Sequence, residues 1–289
     1  MRLLNRPLGR LSRHRRGPVA GLLVVLLGLF VTGGLYAAFS PASSAQDDNT
    51  AALVKQGHQL FLVGCSFCHG DNGQGVKTLD GNQIGPSLVG VGAAAVDFQV
   101  GTGRMPAQQP GPQIPQKRPV YTQDEIDELA AYVASLGPGP AIPNPSDYSL
   151  AGLTDQERQE AISEGGQIFL TNCTACHNFE GSGGAMPHGG FAPKIRGVAP
   201  KYIFEAMLTG PQAMDRFSNG NLSVTEKRDI IAYLQSLQDN PDYGGFGLGG
   251  IGPVSEGLFA WLVGIGSLVG IATWIAAHTA RSSKQKADS

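Results

Sequence analysis

The pentapeptide Cys-x-x-Cys-His occurs twice, as Cys65-Ser66-Phe67-Cys68-His69 and Cys173-Thr174-Ala175-Cys176-His177, and the two copies use all four cysteines of the 289-residue chain. Their flanks repeat as well. VKQGHQLFLVGCSFCHG (54–70) aligns with ISEGGQIFLTNCTACHN (162–178), 108 residues further on. Gly85-Pro86-x-x-x-Gly90 aligns with Ala192-Pro193-x-x-x-Gly197, Met105 with Met214, and AAYVASL (130–136) with IAYLQSL (231–237). Similar blocks in one order, with slightly drifting offsets, predict two copies of one lobe that differ in loop length. The stretch QQPGPQIPQKRP (108–119) has no counterpart in the second copy, so it is expected to be a surface loop of the first.

Cys-x-x-Cys-His is the attachment signature of a c-type haem. Thiols at i and i+3 face one side of a turn and can add to the two haem vinyl groups, and the adjacent histidine then points at the iron. Two such motifs with no spare cysteine predict two covalently bound haem c groups, one on Cys65 and Cys68, one on Cys173 and Cys176. Two Cys-x-x-Cys pairs could instead share a zinc ion or form disulfides in an oxidising compartment. Both alternatives leave His69 and His177 idle.

The expected axial ligands are His69 and His177 on one side of each iron, with Met105 and Met214 on the other. Met105 lies 36 residues after His69 and Met214 lies 37 after His177. His/Met ligation raises the reduction potential of a haem. Met186, His188 and Met207 are rivals in the second lobe. Met186 and His188 follow His177 too closely to reach the opposite haem face easily, and Met207 falls on an expected helix with no counterpart in lobe one. Pro86 and Pro193 are placed so that a backbone carbonyl there could accept from the ring N–H of the ligand histidine and fix the imidazole. Arg104 is a candidate partner for a haem propionate. His58, His278 and His14 are expected to be bystanders. No residue is assigned a catalytic role.

Charge is segregated along the chain. Residues 1–18 carry six arginines and no acid, residues 281–289 carry Arg281, Lys284 and Lys286 against Asp288, and the part between holds 12 cations against 22 acids. Two uncharged apolar stretches separate these blocks, at 19–39 and 257–278, each long enough to cross a hydrocarbon core of about 30 Å as a helix. Trp261 and Trp274 lie near the ends of the second, where interfacial aromatics sit. Since positive flanks stay inside, both termini are expected in the cytoplasm and the repeated part outside a cell membrane. The first span also reads as a secretory signal cleaved near Ser43-Ser44-Ala45, although its apolar run exceeds an ordinary signal core. Either way the middle of the chain is exported.

The expected organisation is a basic cytoplasmic head (1–18), a transmembrane helix or signal anchor (19–39), a first lobe (50–137), a Pro-rich linker (138–153), a second lobe (154–239), a Gly-rich tether (240–256), a transmembrane helix (257–278) and a basic cytoplasmic tail (279–289). Gly (41) and Pro (19) imply much loop, which suits a fold whose core is filled partly by a large cofactor. The regular structure is expected to be mainly α. Leu53–Val63 and Glu157–Leu170 should lead into the Cys motifs. The capping boxes Thr122-x-x-Glu125 and Ser223-x-x-Glu226 should open helices Gln123–Leu136 and Val224–Leu237, whose apolar residues follow the helical period. Gly57 and Gly165, each four before a phenylalanine, would let another helix cross closely. No alternating strand pattern of useful length is present.

These residues resemble a family. Each lobe is similar to a class I cytochrome c domain: N-terminal helix, Cys-x-x-Cys-His, Gly-Pro turn, methionine loop and a final helix bearing Tyr132 or Tyr233. The whole chain, with its basic head, tandem lobes, GGFGLGGIGP tether and C-terminal span, resembles the dihaem cytochrome c subunit of the actinobacterial cytochrome bcc complex. The sequence departs from the pattern at Met214, where MDRF stands in place of Met-Pro. The resemblance implies the electron-transfer subunit of a membrane-bound quinol:cytochrome c reductase, with no quinol site of its own. Its implied partners are a cytochrome b subunit, a Rieske iron–sulfur subunit as donor and an a-type haem-copper oxidase as acceptor; no nucleic-acid partner is expected. A membrane-tethered shuttle independent of any cytochrome b would share every motif. A dihaem peroxidase would need an open sixth position on one haem.

Overall fold

The computed structural model describes residues 18–39, 44–186, 189–239 and 252–287, without the side chains of 20, 36–39, 44–48, 253–254 and 279–287. The basic head, His14, His188, the signal-cleavage reading at Ser43-Ser44-Ala45 and most of the Gly-rich tether lie outside what is described. The first of two compact units, residues 1–52, contains helix α1 (Pro18–Phe39), whose described side chains all face outward.

The second unit, residues 53–289, holds both lobes. In lobe one, α2 (Ser44–Gly64) runs into a one-turn helix α3 (Ser66–His69). A small antiparallel hairpin follows, β1 (Val76–Lys77) with β2 (Gln83–Gly85), then α4 (Ala93–Gly101) and α5 (Gln123–Ser135). The linker forms one helical turn, α6 (Pro145–Tyr148). Lobe two repeats the order: α7 (Asp155–Asn172), α8 (Thr174–His177), hairpin β3 (Gly184–Ala185) and β4 (Phe191–Ala192), α9 (Pro200–Thr209) and α10 (Val224–Asp239). The chain ends in α11 (Pro253–Phe259), a π-helical turn (Ala260–Ile265) and α12 (Gly266–Ala287). The architecture is mainly helical, and the two hairpins are too short for a period-two pattern to announce them.

Local chemistry accounts for the helix ends. Thr122 accepts from the Glu125 backbone N–H while the Glu125 carboxylate accepts from the Thr122 N–H at 2.7 Å, and Ser223 with Glu226 repeats the exchange. Thr154 with Glu157 forms a third such box, so α7 starts two residues before the expected Glu157. Each satisfies two otherwise orphaned donors.

Packing follows from two glycines. A Cβ on Gly57 would lie 1.9 Å from the Glu128 carbonyl oxygen, and one on Gly165 would lie 1.8 Å from that of Asp229. The first and last helices of each lobe therefore cross backbone to backbone. One turn on, Phe61 and Phe169 are fully buried. Their rings meet Tyr132 and Tyr233, with centroids 5.0 and 5.4 Å apart. Val96, Val100, Ile126, Leu129 and Val133 complete the first core; Ile203, Phe204, Met207, Ile230, Ile231 and Leu234 complete the second. A phenylalanine so placed costs about 3–5 kcal/mol to truncate.

The lobes meet through α4 and α9, the helices that precede the two methionine loops. Phe98 packs edge-on to Tyr202, with ring centroids 6.3 Å apart. Asp97, wholly buried, forms an ion pair with Lys201 and accepts from Gln123 Nε2 at 3.2 Å. Glu205 is also wholly buried and neither of its oxygens meets a donor. Burial, then the neighbouring Asp97 carboxylate, pushes Glu205 up to about 10, against a smaller opposing effect from Lys201. Glu205 is therefore a neutral acid at pH 7.

Beyond the lobes, Ser255–His278 is the one helix among the described residues long and apolar enough to cross a membrane, with a mean hydropathy of 2.0 and no buried side chain. In α1, the described apolar stretch Gly21–Leu35 is shorter.

Two outcomes are expected from this packing. Gly165→Ala should destabilise lobe two by about 2–3 kcal/mol, because the helices must part to admit a methyl group. The thermal midpoint of the holoprotein, read by far-UV circular dichroism, should fall by roughly 10 °C; an unchanged midpoint would contradict backbone contact at the crossing. Glu205, with a folded-state pKa above its unfolded one, holds a proton that the unfolded chain releases near the ordinary carboxylate value. Its burial therefore costs stability progressively as pH rises from there to about 10. Glu205→Gln removes that term, so the midpoint of the variant minus that of the wild type should grow between pH 5 and pH 9. A difference that stays flat would place the proton elsewhere.

Candidate haem-binding sites

Each Cys-x-x-Cys-His segment is one helical turn attached directly to the preceding helix. Cys65 N–H bonds to the Phe61 carbonyl, and His69 N–H to the Cys65 carbonyl at 3.0 Å; Cys173 bonds to Phe169, and His177 to Cys173 at 2.9 Å. The turn places Cys65 and Cys173 against the cores of their own lobes. Gly70 and Asn178 then take positive φ, 77° and 60°, and reverse the chain under the histidine. Asn178 is one of the two non-glycine residues with positive φ among the described residues, and its side chain donates to the Gly183 carbonyl, a local bond that makes the conformation tolerable.

That reversal carries the Gly-Pro turn beneath the imidazole. His69 Nδ1 lies 2.8 Å from the Pro86 carbonyl oxygen and His177 Nδ1 lies 3.0 Å from that of Pro193. A carbonyl only accepts, so Nδ1 carries the proton in both rings and Nε2 presents a free lone pair. Both histidines are buried, and burial, partly opposed by the Pro193 bond, lowers the His177 pKa and holds that ring neutral. The approach is close: a Cβ on Gly85 would sit 2.3 Å from the Cys68 carbonyl oxygen.

The thiols are suited to addition rather than redox exchange. Burial, then the partner sulfur of Cys68 or Cys176, pushes Cys65 and Cys173 up to about 11. Dithiol oxidoreductases work with a lowered thiol pKa. Among the described residues no three His, Cys, Asp or Glu side chains converge as a metal-binding group. The donor set at each turn is therefore two thiols and one imidazole with a free Nε2, which is what a covalently attached haem requires.

Met105 and Met214 both rest, half-buried, on the core of their own lobe, together with the first cysteine of each motif. Met105 N–H is bonded to the Gln99 carbonyl at 2.9 Å, and Met214 N–H to the Pro211 carbonyl at 3.1 Å. Met207 is filler in the core of lobe two, at 3% exposure. Met186 sits in the hairpin, its N–H bonded to the Gly190 carbonyl. Arg104, which the sequence offers as an ordinary surface cation, is buried. Its guanidinium lies 4.9 Å from the Phe98 ring centroid and donates to Thr102 at 2.7 Å. Burial lowers its pKa, and among the described residues no carboxylate pairs with it. A buried cation left without a carboxylate among the described residues carries a desolvation cost that an anionic group beside it would offset. His58 packs on Tyr132, with ring centroids 4.7 Å apart, and His278 on Trp274 at 4.8 Å.

Known proteins resemble the chain at the level of the lobe and of the whole. Residues 54–137 match the family described as "Cytochrome c", and residues 160–234 match "Cytochrome C oxidase, cbb3-type, subunit III". The "Cytochrome bc1 complex cytochrome c subunit" of Mycobacterium tuberculosis is 42% identical, over 94% of this chain and 95% of its own. That of Corynebacterium efficiens is 43% identical, over 92% of both. The "Cbb3-type cytochrome c oxidase subunit FixP" of Bradyrhizobium diazoefficiens is 27% identical over 72% of this chain and 70% of its own. The cbb3-type family description covers residues 160–234 alone, whereas the likeness at 42% covers 94% of the chain. The chain belongs to the family of cytochrome bc1 complex cytochrome c subunits, and its two Cys-x-x-Cys-His turns, at Cys65 and Cys68 and at Cys173 and Cys176, carry two covalently bound haem c groups.

Proposed function

We propose that this chain is the electron-carrying arm of a membrane-bound quinol:cytochrome c reductase, held by helices at both ends with its haem lobes outside the cell membrane. The observation that carries the reading is the pair of histidines, each with Nδ1 committed to a proline carbonyl and Nε2 left free beside two thiols. The bound haems supply one-electron oxidation and reduction. His69 and Met105 would hold the haem iron in lobe one, and His177 and Met214 that in lobe two. The Pro86 and Pro193 carbonyls fix each imidazole and keep its tautomer, and the hydrogen bond they accept makes the ring a stronger ligand. Arg104 holds a propionate of the first haem. Its counterpart in lobe two is Ala213, so the second haem lacks that cation.

Electrons enter from the Rieske iron–sulfur partner of a cytochrome b subunit and leave to an a-type haem-copper oxidase. The residues of this chain bind no quinol; they hold two haems in one protein body, set their potentials and dock partners. Residues 19–39 and 257–278 are the two spans, with the basic termini in the cytoplasm. The uncharged stretch of the first and the hydropathy of Ser255–His278 support this.

Two measurements test the reading. Gentle solubilisation of the native membrane should bring down a b-type haem with the c-type haems; a c-type cytochrome recovered alone would instead indicate a tethered shuttle. In redox titrations of the full-length holoprotein, Met105→Ala and Met214→Ala should each lower the potential of one haem and remove one share of the near-infrared thioether–iron band. Loss of both shares from one substitution would contradict separate lobes.

A further inference from the structure

The Pro/Gln-rich insertion of lobe one is not a free loop. Gln113 donates its side-chain amide to the Phe191 carbonyl and accepts from the Phe191 N–H at 3.1 Å. The adjacent Ile114 makes the reciprocal pair with Gln212: its N–H donates to Gln212 Oε1 at 3.2 Å, and its carbonyl accepts from Gln212 Nε2 at 3.0 Å. Two side-chain amides thus each satisfy both backbone groups of one residue in the opposite lobe. Three residues on, Lys117 Nζ donates to the Pro106 carbonyl at 2.6 Å. The Lys117 carbonyl oxygen lies only 2.1 Å from where a Cβ on Gly103 would be, so the segment also presses on the loop of Met105.

The places gripped are specific. Phe191 is on β4, two residues before Pro193, whose carbonyl orients His177. Gln212 is two residues before Met214 and holds φ at 59°, a left-handed conformation unfavourable for a side-chain-bearing residue. Such a residue persists only where its surroundings over-determine it, and the strap supplies two of the bonds that do so. Elsewhere the Met214 loop is fastened at its far end, where Phe217 N–H bonds to the Met207 carbonyl at 2.8 Å and the buried Lys227 ammonium donates to Asn219 at 3.0 Å and to the Leu222 carbonyl. Ahead of Met214, two bonds within the lobe, Gly210 N–H to the Ala206 carbonyl at 2.9 Å and Met214 N–H to the Pro211 carbonyl at 3.1 Å, are joined by the two from the other lobe.

We propose that residues 113–117 are a strap by which lobe one sets the axial-ligand geometry of the second haem, with Gln113 and Gln212 as positioning residues. The inference rests on Met214 being the ligand of that haem. The strap joins the methionine loop of lobe one to the supports of His177 and Met214 in lobe two, so removing the Gln113 or Gln212 amide weakens the hold on Met214 and leaves the Lys117 bond to the Met105 loop in place.

The test uses the full-length dihaem holoprotein and imidazole as a ligand that competes with methionine, followed through the thioether–iron band. Gln113→Ala and Gln212→Ala should each lower by roughly three- to tenfold the imidazole concentration that removes the second haem's share of the band, as expected for losing a pair of surface hydrogen bonds. The first haem's share should respond as in the wild type. Gln113→Glu, which can still accept from Phe191 but cannot donate, should fall between. Met214→Ala identifies which share belongs to the second haem. Wild-type competition in both alanine variants, while Met214→Ala removes its share, would overturn the strap and leave the ligand assignment standing. A Met214→Ala protein that keeps the whole band would overturn the ligand assignment itself. An equal shift at both haems would mean general loosening of the fold and would also overturn the proposal.

Discussion

The contact on which each lobe depends is the meeting of its first and last helices at a single glycine. At Gly57 and Gly165 there is no room for even a methyl group. The crossing therefore fixes not only which helices touch but also where along them. Eight residues later in both copies comes the first cysteine, at the end of an uninterrupted helical path of about 12 Å. One turn after the glycine the buried phenylalanine meets the tyrosine of the last helix, which prevents rotation about the contact. Position and azimuth of the Cys-x-x-Cys-His turn are thus set by the packing of these two helices. The proline carbonyl then acts on a histidine whose backbone is already placed, so a hydrogen bond of modest energy suffices to select one tautomer and one ring orientation.

How much of this could be read from the sequence depended on how local the cause was. Capping boxes, the crossing glycines and the Cys-x-x-Cys-His turns are decided within a few residues, and their consequences were legible. The box at Thr154-x-x-Glu157 has the same spacing as the other two and was available to the same reading. Helices α4 and α9 were harder. AAAVDFQVG is buried on nearly every side, so it has no polar face from which a period could be seen. The burial of Asp97 and Glu205 was not legible, because it arises from partners in another part of the fold, Lys201 for the first and Asp97 for the second, and that of Arg104 was not because it lies over Phe98 with no carboxylate of the described residues beside it. The insertion announced itself as a loop by composition, but its contacts reach 78 and 98 residues along the chain, and nothing local encodes them.

The two lobes form a joined body rather than beads on a stiff string. The Pro-rich linker docks on lobe one, where the Ala94 N–H bonds to the Pro140 carbonyl and Gly92 and Gly139 touch through their backbones. Its one-turn helix, capped by Asn144 and Asp147, then leads into α7. Proline supplies pre-set backbone angles along this path, but the relation between the lobes is set by α4 against α9 and by the insertion. The charged cluster at that interface contributes more to register than to strength. Desolvating Asp97, Lys201 and Glu205 costs free energy that one ion pair only partly returns, while any slip along the helices would leave Asp97 buried without its cation. Duplication made two equivalent lobes. The copies meet through unlike residues, Asp97 against Lys201, and through an insertion present once. That insertion bridges the loops of Met105 and Met214, so part of what joins the two lobes belongs to one copy alone.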